Sequence, residues 1–194
     1  MPVSLPAFDP AKLPDLMALP YAEKLLDCLC EQLATSYGGP VCQCCLRPGG
    51  GLPPMDSCCA CEDGSNGQAS VQVGRVYPTS KFPAEGVTTW DRACKGSALW
   101  VADLTMVVYR CVSVMGEDGT PPTCEQLEQD TRVIAGDRFA MMRAFGCCTW
   151  TQWDRLPGAW TPVPAQGGCA GGTMTVKAAI GVLCCELPES PGSV

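Results

Sequence analysis

The sequence contains no histidine, so imidazole cannot serve as general base, as partner of a serine or cysteine nucleophile, or as a metal ligand. Cations are few. Lys and Arg number 13 against 20 Asp and Glu, a net charge of -7, which disfavours a surface that tracks phosphates and suits a wall along which DNA slides without sticking. Long apolar runs are missing too. The longest lies near residues 178–185, far short of a membrane span, and no basic start followed by an apolar run marks a leader. A cytosolic site of synthesis, where thiols stay reduced, is the expectation.

What the chain has in quantity is glycine, proline and cysteine. Gly 21 and Pro 18 among 194 residues predict a single domain with large irregular excursions. Cysteine, at 16, is near the level of a disulfide scaffold. Cys42, Cys44 and Cys45 form one cluster and Cys58, Cys59 and Cys61 another. The outer members, Cys42, Cys45, Cys58 and Cys61, have the spacing of two knuckles that could hold a structural zinc tetrahedrally. Against this stand a linker shorter than in a zinc ribbon and the surplus thiols Cys44 and Cys59. The bland alternative is buried or paired thiols in the loop of residues 38–67. Cys28, Cys30, Cys111, Cys147, Cys148, Cys184 and Cys185 fall in periodic segments, where a small core hydrophobe is the default. Redox catalysis by the Cys-x-x-Cys pairs is disfavoured, because they lie in loop rather than at a helix start after a strand.

Residues 1–20, with five prolines, read as an extended arm. Ala22, Leu25, Leu26, Leu29 and Leu33 then predict a helix that Gly38 and Gly39 stop. Strands are predicted from Ser70 to Tyr77, from Trp100 to Val112 with an apolar even face broken by Arg110, and from Met174 to Cys184. Thr123, with Gln126 three residues on, opens a second helix through Phe145. The resulting order, α-β-β-α-β, predicts an α+β domain over residues 21–186, followed by a polar tail at 187–194. Its small antiparallel sheet carries both helices on one face and leaves its edges open to assembly, through those edges or through loops.

No phosphate-binding loop occurs, and the carboxylates are scattered. Asp103, inside a strand, is the best single candidate for a perturbed carboxylate, although an edge-facing aspartate is the plainer reading. Trp150, Trp153 and Trp160 could stack on a sugar, but packing against the sheet is favoured. No catalytic site and no cofactor are assigned, and the chain is not read as an enzyme.

Four stretches carry a resemblance. They are Gly74-Arg75-Val76-Tyr77-Pro78, residues 98–111, the turn Glu117-Asp118-Gly119-Thr120-Pro121-Pro122 before the capped helix, and Gln166-Gly167-Gly168-Cys169-Ala170-Gly171-Gly172 before the last strand. The pattern over about residues 20–186 resembles neck proteins of actinobacterial siphophages, most closely the tail terminators. The resemblance implies an α+β subunit of a hexameric virion ring, assembled in the host cytoplasm. Such a ring caps the tail tube, docks the head connector or stopper, lets DNA pass without specific binding, meets no membrane and performs no enzymatic step. The arm is expected to drape over a neighbour, and the loop of residues 78–97 to face the tube or connector. The alternatives are a head-closure stopper or minor tail protein, or, from another class, a zinc-stabilised binding module.

Overall fold

The computed structural model describes residues 17–49, 66–86, 99–149 and 155–182. Its elements run α1 (Leu19–Ala34), β1 (Gln43–Arg47), β2 (Gln68–Thr79), β3 (Leu99–Cys111), α2 (Cys124–Cys147), β4 (Arg155–Gln166) and β5 (Cys169–Val182). The five strands form one sheet in the order β1-β2-β3-β5-β4. All neighbours are antiparallel except β1 and β2, which run parallel. The α+β class expected from the sequence is therefore present. The sheet, however, is mixed and has five strands rather than three.

The α1 stripe is where the periodicity puts it: Ala22, Leu25, Cys28, Leu29 and Leu33 are buried. The helix begins two residues earlier than the pattern suggested, with Pro20 in the first turn, where a missing N–H costs nothing. On β3, Ala102, Leu104, Met106 and Val108 alternate toward one face. There they meet Ala69 and Val71 of β2, Met174, Val176 and Ala178 of β5, the α1 stripe, and Ala140, Met141 and Ala144 of α2. Both helices thus cover the same face, α1 over β1 and β2 and α2 over β5 and β3. On the opposite face, Val107, Tyr109 and Cys169 make a second, smaller cluster.

Two strands fall where the sequence predicts loop. β1 lies in the cysteine-rich segment, and β4 in the turn-rich one despite Pro157, Pro162 and Pro164. Prolines that would break a central strand fit β4 because it is an outer strand, with β5 on one side only. The same reasoning explains why Pro78 does not end β2. β1 pairs only with Gln68–Gln72, and at the far end of β2 the Gly86 segment uses the Pro78 carbonyl as acceptor, so no N–H is required of Pro78. Gly171 and Gly172 lie inside β5 rather than before it. A Cβ on Gly171 would strike the Val108 carbonyl, and one on Gly172 would strike the indole of Trp160, so these glycines let strand and ring approach closely.

The cap of α2 is as predicted. Gln126 N donates to Thr123 Oγ1, and Thr123 N donates to Gln126 Oε1. From Cys124 to Arg132 the helix is exposed except at Asp130, so its first turns project beyond the sheet. Asp130 accepts a hydrogen bond from Ser113 N and ties this end to the chain leaving β3.

Candidate functional site

Two charged clusters, one on each face of the sheet, organise the molecule, and both are built on β3. Arg110 interrupts the apolar face of that strand and is wholly buried. Its Nε donates to Asp137 Oδ2 at 2.8 Å and its Nη2 to Asp137 Oδ1 at 2.9 Å, a two-pronged ion pair with α2. The remaining N–H groups reach backbone carbonyls of Gly38, Gly39, Pro40 and Asn66 at 2.6–3.2 Å. One guanidinium therefore fastens the turn after α1, the approach to β2, β3 and α2. The glycines around it leave it room. A Cβ at Gly38 would lie 3.0 Å from the guanidinium, and Gly67, at φ +97°, would place one 2.5 Å from the Tyr109 carbonyl.

On the other face, Asp103 lies between two cations. Lys177 Nζ donates to Asp103 Oδ1 at 2.9 Å, and Arg75 donates from Nε and Nη2 to Asp103 Oδ2 at 3.3 Å. Arg75 Nη1 also pairs with Glu85 at 3.0 Å. Lys177 Nζ donates in addition to Tyr77 Oη, which itself donates to the Pro83 carbonyl. Hydrogen bonding to Asp103 holds the Lys177 ammonium above its ordinary range against the desolvation that would lower it. Glu85, and then Asp103, raise Arg75 likewise. The network rests on a break in register of β2 between Val73 and Val76, which turns Arg75 toward the strand carrying Asp103. It is a charge-balanced cluster of three cationic or phenolic donors, Lys177, Arg75 and Tyr77, and two carboxylates, Asp103 and Glu85.

The cysteines depart most from expectation. Cys28 is bonded to Cys148, joining the two helices, and Cys30 to Cys44, joining α1 to β1. Cys42, Cys111 and Cys169 are disulfide-bonded as well. The reading of Cys28, Cys30, Cys111 and Cys148 as small core hydrophobes is thus corrected: the side chains sit in apolar periodic positions, but as covalent ties. Cys147 is an exposed free thiol.

Of the four proposed zinc ligands, Cys42 is oxidised and supplies no thiolate in this state, while Cys45 is a free, exposed thiol. Cys58 and Cys61 lie outside the described residues, as do Cys184 and Cys185. Among the described residues, no three Cys, Asp or Glu side chains converge as a metal site. Trp150 and Trp153 also lie outside them, whereas Trp160 packs against the main core with Arg138 5.7 Å from its ring centre, an anchored aromatic rather than an open platform. Residues 1–16 of the arm, 87–97 of the loop expected at 78–97 and the whole tail at 187–194 are likewise not described. Among the described residues, no helix is long and apolar enough to cross a membrane.

Sequence reasoning identified Arg110 and Asp103 but neither partner set. Asp137 could have been found, since it shares a helical face with Met141 and Ala144 and so had to be buried beside a cation. Arg75 and Lys177 depended on strand register, which the sequence left open. No protein-family model matches this chain, and no curated protein matches it.

Proposed function

We propose that this protein is a structural subunit of a virion neck, a tail-terminator-like protein whose copies close into a ring, hexameric as in that family, at the head-tail junction. The ring would cap the tail tube, dock the head connector or stopper and let DNA pass without gripping it. The observation that carries the reading is that the two lateral sides of the sheet are unlike. One side presents α1 and the short strand β1, the other α2 and the proline-bearing strand β4. Two different lateral sides permit a head-to-tail contact, and such contacts generate a ring when the rotation closes.

Two further features support it. A net charge of -7 keeps a channel wall from binding DNA. The disulfides suit a protein that spends its working life on an extracellular particle, where they persist, whereas a cytosolic enzyme would have them reduced.

Negative-stain imaging of the purified chain, alone and with tail tubes, tests this. Rings with a DNA-wide hole that seat on tube ends are expected. A chain that stays monomeric at high concentration and ignores tube ends would overturn the reading.

A further inference from the structure

The outer surfaces of the two helices differ in a way that the core does not require. On α2, Phe139 and Met142 stand one turn apart and are 59% and 53% exposed. Arg138 and Arg143 flank them, also exposed, and the Arg143 guanidinium lies 6.0 Å from the centre of the Phe139 ring. Beyond Arg132 the only acidic residue of α2 is Asp137, which is consumed by Arg110, so the exposed charge of this half of the helix is purely positive. Arg132 itself is already paired with Glu128. Exposed aromatic and methionine side chains ringed by arginine have the composition of a protein interface.

On α1, Glu23, Asp27 and Glu31 recur every four residues, forming one exposed stripe on the side away from the buried leucines. Lys24 is the single cation of that helix. Among the described residues, no ion pair joins Arg138 or Arg143 to a carboxylate, or Glu23, Asp27 or Glu31 to a cation.

We propose that the Phe139–Met142 surface of α2, with Arg138 and Arg143, docks on the Glu23–Asp27–Glu31 stripe of α1 in a second copy of this chain. The proposal rests on the ring reading and names its contact. Both surfaces point away from the sheet, on helices packed side by side over its one covered face, so a cationic and an acidic surface lie next to each other and each can meet its opposite on a second copy. A two-fold pairing of α2 with α2 is disfavoured, because it would set arginines against arginines. Strand addition at the β4 edge is blunted by Pro157, Pro162 and Pro164, which remove donors from that strand. The contact therefore runs through helix side chains, with the apolar pair at its centre and the charges fixing its polarity.

The test is light scattering on the oxidised full-length chain, with far-UV circular dichroism to verify folding. Wild type is expected as an oligomer several times 20.5 kDa. Arg138→Glu with Arg143→Glu, or Glu23→Lys with Asp27→Lys and Glu31→Lys, is expected to give monomer. Combining all five in one chain, which swaps the two signs, is expected to restore the oligomer. If either one-sided reversal keeps the wild-type mass, or the combined variant stays monomeric while folded, the helix contact is overturned and the ring stands on some other interface. If wild type is itself monomeric, the ring reading fails, and this contact with it.

Discussion

Arg110 and Asp103 sit seven residues apart on the same strand, each held by opposite charge, yet they belong to different kinds of structure. Arg110 lies under the helices at no solvent exposure, and every N–H it owns meets an oxygen of the protein. Asp103 lies on the face without helices among the described residues, and its partner Arg75 is largely in water. Burial makes the first cluster costly to break, whereas solvent and screening make the second inexpensive to lose. The buried cluster holds the fold, and the exposed one shapes a surface.

Breaking the buried pair gives the largest effect. Arg110→Ala leaves Asp137 charged and unpaired and frees four backbone carbonyls, with an expected loss of about 3–5 kcal/mol in a denaturant titration. Arg110→Met with Asp137→Leu removes both charges and should recover part of that loss. A double variant as unstable as the single would show that the backbone bonds, not the ion pair, dominate.

Next comes the helix-to-helix disulfide. Cys28→Ala with Cys148→Ala opens a loop of 120 residues and should lower stability by about 3–4 kcal/mol, read from the same titration. Reductant should reproduce that loss in wild type and add little in the variant beyond the effect of the remaining bridges.

Thr123→Ala deletes the reciprocal cap of α2 and should cost about 1 kcal/mol. The smallest effect belongs to Asp103→Asn, which should shift the midpoint less than the cap deletion and chiefly alter behaviour in alkali. The folded-state pKa of Lys177 is raised above its ordinary 10.5, so its contribution is fully present below that value and fades as pH rises through the raised one. Stability followed from neutral pH upward should lose this alkaline component in Asp103→Asn.

The same contrast explains what the sequence disclosed. Where one face is buried, periodicity writes the element plainly: α1 from its leucines, β3 from its even residues, α2 from the Thr123–Gln126 box. β1 escaped because it is only five residues long: Cys44 and Leu46 do turn alternately to the core, but Cys45 between them hides the period, and the prolines of β4 argued against the strand they occupy. The disulfides escaped for another reason: spacing along a chain does not specify which sulfurs meet, and Cys28 and Cys148 meet only because the helices cross. Arg110 was visible as an interruption of an apolar face, but what it held depended on turns whose approach only the fold reveals.

The proposed ring subunit is a sheet with one helix-covered face and two unlike sides. Sedimentation velocity of the oxidised chain across a wide concentration range tests it most directly. One closed species of fixed mass, several times 20.5 kDa and unchanged on further concentration, is the predicted result. A single species of 20.5 kDa throughout, or a mass that keeps growing as an open chain would, contradicts it.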